Sequence, residues 1–203
     1  MTCGAAKMPK LGMEPIRRRQ LIDATIASMH EDGFANTTVQ RISRRAGLSA
    51  GIIAHYFQDK AGLMEATMLT LVEALRGEAV ARLTRAQGPQ ARIHAIIDAN
   101  FAPTQCVPEV VSAWLAFWSM VRQSPGLLRI QRIYQRRLRS NLLHAFKLFL
   151  PRTEAERLTA GLAALIDGLW LNAALAGGTM DAEAARRIAR EYVDSQITNA
   201  GAR

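Results

Sequence analysis

The sequence predicts an all-α protein: an N-terminal three-helix head containing a helix-turn-helix, followed by a larger helical bundle. Two observations carry this. Apolar residues recur at steps of three and four from Pro15 almost to the C-terminus, and the alternation of a β-strand occurs nowhere. Helix-breaking clusters at Gly88-Pro89, Pro103, Ser124-Pro125-Gly126 and Leu150-Pro151 cut that pattern into helical lengths.

Residues 1–13 contain Gly4, Pro9 and Gly12 and are expected to form a flexible arm. Pro15 suits a first helical turn, where no backbone donor is needed. Ile22, Ile26 and Met29 mark the inner face of that helix, and Gly33 stops it. Thr38 is placed to cap a short helix with Val39, Ile42 and Ala46 inside. Gly47 supplies a tight turn, and Ser49 is the expected cap of a second short helix burying Ile52, Ile53 and Phe57. Asp59 caps a long helix from Lys60 to about Gln87. Further helices are expected over about 90–102, 108–123 and 126–150. The last two follow from caps at Thr153, ending at Gly177-Gly178, and at Asp181, running to about Ile197. The chain thus divides into an arm (1–13), a helix-turn-helix domain (14–60) and a bundle (61–203).

Composition narrows the function. The 203 residues include 26 Lys and Arg against 17 Asp and Glu, a formal net charge of +9. Such a surplus favours a polyanionic partner, nucleic acid first and an anionic membrane surface second. No apolar run reaches the ~20 uncharged residues of a membrane span. The N-terminus lacks a secretory pattern, so the expected location is the cytoplasm. Cys3 and Cys106 are too few for a disulfide scaffold or a four-cysteine zinc site. The chain has no HExxH, G-x-S-x-G or P-loop, and His30, His55, His94 and His144 stand apart. No enzyme activity, metal or cofactor is expected.

Two short helices joined by a glycine turn form a helix-turn-helix, whose second helix fits the major groove of DNA. Ser49, Ala50, Gly51, Ile52 and His55 lie near or along its outer side, and the small residues at its start allow close approach to bases. Thr38, Arg41, Arg44, Arg45, His55, Tyr56 and Lys60 are the expected phosphate donors around it, joined by Arg17 where Arg17, Arg18 and Arg19 project around the start of the first helix. Residues 1–60 hold nine Lys and Arg against five Asp and Glu, a net of +4. The plainer alternative is two packed helices with solvated arginines.

Thr38, Ile42, Ala46, Gly47, Ser49, Gly51, Tyr56, Phe57, Lys60 and Leu63 reproduce, over 26 residues, a spacing that resembles the DNA-binding signature of the TetR family of bacterial repressors. That pattern carries a Tyr three positions before the Phe. Here the position is Ala54, which leaves its phosphate contact to His55 and Tyr56. Three segments outside the signature also resemble the choline-responsive repressors of glycine betaine synthesis within that family. They are MPKLGMEPIRRRQLIDAT, TQCVPEVVSAWLAFWS and GLAALIDGLWLNAAL. The resemblance implies a cytoplasmic, nucleoid-associated homodimer that binds a palindromic double-stranded operator. It also implies choline as the small cationic effector and a dimer interface over about 153–197. An efflux-type regulator of larger lipophilic cations is the alternative.

A trimethylammonium head has no N–H to donate. A protein holds it with aromatic faces and a nearby acid. All three tryptophans, Trp114, Trp118 and Trp170, fall in the bundle, and Trp114 and Trp118 share a helix face. With Phe117, Tyr134 and Asp167 they form the expected ligand-binding set, against the alternative of an aromatic core. Asp167 interrupts an apolar stretch, and a buried carboxylate needs a partner: a ligand cation, an arginine or a helix N-terminus. Arg122, Arg129, Arg132, Arg136, Arg137 and Arg139 form a run with no acid between them, read as a solvated face. For the interface, Gly161, Ala164, Gly168 and Ala174 allow close helix approach, while Leu162, Leu165, Leu169 and Trp170 supply apolar area.

Overall fold

A computed structural model describes residues 12–176 and 180–201, and all of their regular structure is helical. The chain forms two compact units that meet between Thr67 and Met68. The expected arm lies almost wholly outside the described residues. Of it only Gly12 and Met13 are seen, and Met13 already opens the first helix.

The first unit holds α1 (Met13–Glu31), α2 (Val39–Arg45), α3 (Gly51–Phe57) and the start of α4 (Lys60–Leu83). α1 packs on both α2 and α3. Its inner face is Leu21, Ile22, Thr25, Ser28 and Met29, while the expected Ile26 is only half-buried. Thr25 belongs inside because its hydroxyl donates back to Leu21 O at 2.7 Å, which satisfies it without water. Ile42, Ile53, Phe57 and Leu63 complete this core. Thr38 caps α2 as expected, its hydroxyl accepting from Arg41 N at 3.3 Å. Gly47 turns the chain at φ +66°, a conformation that disfavours any Cβ. Ser49 does not cap α3. The helix starts two residues later behind Ala50, and Ser49 contributes only its carbonyl, to Ile52 N.

The turn into α4 is sterically closed. Gln58 sits at φ 70°, and the Asp59 carboxylate accepts from Gly62 N at 2.8 Å. A Cβ on Gly62 would lie 2.1 Å from Phe57 O, which is backbone and has little freedom to retreat. Gly62→Ala is therefore expected to destabilise the protein by roughly 2 kcal/mol, despite alanine's better helix propensity. A denaturation midpoint equal to wild type would contradict this.

The second unit holds the rest of α4 with α5 (Pro89–Asn100), α6 (Pro108–Met120), α7 (Pro125–Phe146), α8 (Arg152–Leu175) and α9 (Ala182–Gly201). α5, α7, α8 and α9 pack as a closed ring, each touching the next, and α6 lies on α8. Ile93, Ile97, Phe101, Leu142, Phe146, Leu158, Leu162, Ile166 and Val193 fill the space between them. Arg190 of α9 pairs with Asp98 of α5, and Arg186 donates to Phe101 O at 2.9 Å. Ser124 and Asp181 cap their helices, accepting from Leu127 N at 3.3 Å and Ala184 N at 2.9 Å.

Several ends differ from the sequence reading. α4 stops at Leu83 and α7 at Phe146, each about four residues early, and α9 runs on to Gly201. Thr153 is inside the first turn of α8, because Pro151 already flanks the helix start. Gly177 and Gly178 lie outside the described residues. α8 is the one described helix long and apolar enough to cross a membrane, with mean hydropathy 1.5 over its apolar window. It carries Asp167 and packs on α6, α7 and α9 instead, although only a third of that window is buried within the chain.

Candidate functional site

In the first unit α3 presents an open, small-residue start. Ser49, Ala50, Gly51 and His55 are exposed, and Ile52 and Tyr56 are half-buried. A Cβ on Gly51 would meet nothing within 4 Å. The His55 ring stands edge-on to Tyr56 at 4.8 Å. Thr38 is exposed at the start of α2, and Lys60 opens α4 with its ammonium 5.3 Å from the Phe34 ring centre.

Three expected phosphate donors, Arg17, Arg41 and Arg45, already have protein partners. Arg41 pairs with Asp32 at 2.7 Å, and Arg17 donates to Gln20 at 3.0 Å. Exposed pairs of this kind contribute about 0–1 kcal/mol, so a phosphate can replace them. Arg45 clasps Glu31 with both guanidinium nitrogens, at 2.6 and 2.7 Å, which holds the Glu31 carboxyl below its usual range and joins α2 to the end of α1. Arg18, expected to project with Arg17 and Arg19 around the start of the first helix, points inward instead. It donates to Tyr56 O and lies 4.4 Å from the Phe57 ring centre, tying α1 to α3.

In the second unit the aromatic residues converge. Trp114 of α6 is the hub, with ring centres of Tyr134 at 5.4 Å, Phe117 at 5.6 Å, Trp118 at 6.0 Å and Trp170 at 6.5 Å. Trp114, Trp118, Tyr134 and Trp170 line one pocket with Leu75 and Asn100. Phe117 and Asp167 do not line it. Phe117 is fully buried and backs Trp114, while Asp167 stands at the Tyr134 hydroxyl. The free space among the rings is about that of one water, so a ligand must part them. A larger, partly open pocket of about 280 Å³ adjoins it and shares Leu75, Asn100 and Tyr134. Val72, Ala79, Val80 and Leu138 supply its apolar walls, and Arg76 and Arg137 also line it. Both arginines pair with Glu73, at 3.2 and 2.9 Å, which lowers the Glu73 carboxyl.

Within the chain, Asp167 meets two neutral side chains of α7. Gln135 donates to it at 2.7 Å, and the Tyr134 hydroxyl reaches it at 3.3 Å. Burial is the largest influence on this carboxyl and raises its pKa, against the hydrogen bonds and the charge of Arg139. Burial, and then the Asp167 charge, push the Tyr134 phenol well above its usual value, so the ring stays neutral. A phenol that donates to a carboxylate carries more electron density, which strengthens its face as a cation partner.

Ionising Asp167 costs stability. Its contribution is full below the ordinary value of 3.8 and is lost as pH rises through its raised value. Asp167→Asn is expected to remove that loss. Melting temperature plotted from about pH 4 upward should then climb relative to wild type as pH rises. A constant difference between the two curves would contradict the assignment.

Asn100 and Leu75 were not singled out in the sequence. Asn100 closes α5 with 4% exposure, its carbonyl accepting from Trp170 Nε1 at 3.2 Å. The only signal was an amide two residues after Asp98 in the otherwise apolar stretch from Ile96 to Ala102, and such an amide is as often structural.

Comparison with known proteins places these features in a family. Residues 21–67 match the family of bacterial regulatory proteins of the tetR type, and residues 89–198 match the C-terminal domain of BetI-type transcriptional repressors. A Chromohalobacter salexigens protein named HTH-type transcriptional regulator BetI 1 is 52% identical over 193 residues, covering 94% of this chain and 95% of its own. A transcriptional regulator of known structure from Pseudomonas aeruginosa PAO1 shares 28% identity at a TM-score of 0.74, with 92% of each chain covered. A Saccharomonospora viridis regulator solved in complex with choline has the same fold, at TM-score 0.75 and 17% identity over 89% of this chain and 96% of its own. The chain belongs to the TetR family of transcriptional repressors, and its C-terminal half is of the BetI type. Members of this family regulate transcription, bind DNA and act as dimers, and they are not enzymes.

Proposed function

We propose that this repressor is controlled by choline, binds a palindromic operator as a homodimer, and regulates glycine betaine synthesis. The observation that carries the reading is the pocket of four aromatic rings, one of them joined to a half-buried carboxylate. Each well-placed ring contributes about 0.5–2 kcal/mol toward a quaternary ammonium. The BetI-named relative and the choline complex of the S. viridis regulator support the same ligand class.

Coupling follows from where the pocket walls begin. Leu75 belongs to α4, the helix that Lys60 opens. A cation that parts the rings displaces Leu75 and biases α4 between two arrangements, to the extent that choline binds them unequally. On the DNA side, Lys60→Ala is expected to weaken all DNA sequences alike and to reduce the salt slope by about one. An unchanged slope would remove Lys60 from the phosphate contacts.

For the dimer, α8 and α9 offer a residual apolar face. Leu171, Leu175 and Ile188 are exposed, as is Ala164, and Gly168 is open on its outer side. Gly161, Leu162 and Trp170 are occupied within the chain. A Cβ on Gly161 would meet the Tyr192 hydroxyl at 2.4 Å, and the other two are buried.

The adjoining pocket of about 280 Å³ supports a second reading, a larger lipophilic effector. Arg76 and Arg137 in its wall disfavour a bulky cation there. The test uses a palindromic fragment that the purified protein selects from random DNA. Choline at millimolar concentration should lower its affinity in fluorescence anisotropy. Release by bulky lipophilic compounds, with none by choline, would favour the second reading.

A further inference from the structure

We infer that Asn100 is the specificity-determining residue for the far end of the effector: its side-chain oxygen accepts the proton of an alcohol. The inference rests on the aromatic pocket holding a quaternary ammonium. Asn100 lines that pocket and the adjoining one, and it is 4% exposed. Its amide nitrogen donates to Ile96 O at 2.8 Å. A carbonyl oxygen only accepts, so this bond fixes which way the amide faces. Its main-chain carbonyl is taken by Trp170 Nε1. Oδ1 remains, buried and without a partner among the described residues.

An unpaired buried acceptor is unfavourable until a donor meets it. A hydroxyl two carbons from a trimethylammonium supplies that donor. An ether at the same place supplies none, and a carboxylate sets negative oxygen against Oδ1. The pocket therefore distinguishes a quaternary ammonium alcohol from its ether and from its acid.

Calorimetric titration of the full-length dimer with four probes tests this: tetramethylammonium, choline, choline methyl ether and glycine betaine. Wild type should bind choline about tenfold or more tighter than the methyl ether, with glycine betaine weakest. Asn100→Leu should bind choline and the ether equally, while its affinity for tetramethylammonium stays within a few-fold of wild type. Equal wild-type affinities for choline and the ether would overturn the role of Asn100, whether or not the variant folds. So would a variant that keeps the preference. If wild type binds neither choline nor tetramethylammonium, the cage itself is wrong and the Asn100 assignment falls with it.

Discussion

Trp114→Ala should abolish choline binding at millimolar concentration and destabilise the protein by about 3–5 kcal/mol. Trp114 is 3% exposed, and four other rings stand within 6.5 Å of its centre. Removing it takes away a cage wall and opens a cavity that those neighbours fill only in part. The stability loss alone would follow from any core tryptophan, so Trp118→Leu is the necessary companion. Trp118 lines the same pocket but is half-buried. Its replacement should reduce choline affinity about tenfold while costing no more than about 1–2 kcal/mol of stability. If Trp118→Leu folds and binds choline as wild type does, the aromatic cluster is a core and not a cage. Both titrations need circular dichroism in parallel, so that lost binding is not confused with lost folding.

Gly51→Asp should reduce operator affinity at least a hundredfold and leave folding intact. A side chain at Gly51 meets nothing within 4 Å. The position opens α3, where an acidic residue favours the helix, by about 0.3–1 kcal/mol at most. The same carboxylate would face phosphates and base edges at the end of the recognition helix, where like charge and lost approach both weaken binding. The two effects have opposite signs, which separates a DNA-reading surface from an ordinary exposed turn. A variant with unchanged operator affinity would show that α3 does not enter the groove by this end.

The helical head and most helix breaks were legible because they depend on local chemistry. Thr38, Asp59 and Asp181 each cap a backbone donor three residues on, and that spacing is written in the sequence; Ser124, read only as part of a helix break, does the same. Ser49 and Thr153 have the same side-chain chemistry but do not cap. The chain at Ala50 and Pro151 enters the helix along another path, which tertiary packing sets. The candidate site was legible as a set of residue types and not as an assembly. Trp114 and Trp118 share α6, so their proximity follows from helical spacing. Their meeting with Tyr134 of α7 and Trp170 of α8 depends on how three helices pack. The Asp167 partners come from α7, on its far side in sequence, and no spacing rule reaches them. Asn100 looked like any polar residue near a helix end until its amide bond to Ile96 and its place in the pocket wall were seen together.

Calorimetric titration of the purified dimer with choline and with its neutral isostere 3,3-dimethylbutanol tests the cation cage most directly. The two ligands match in shape and differ in charge, so ring faces that read the cation must separate them. Saturable choline binding at millimolar concentration or below, with no response to the isostere, is the expected result. Equal binding of the two, or none of choline up to tens of millimolar, would contradict a choline-controlled repressor and leave a family member whose effector is something else.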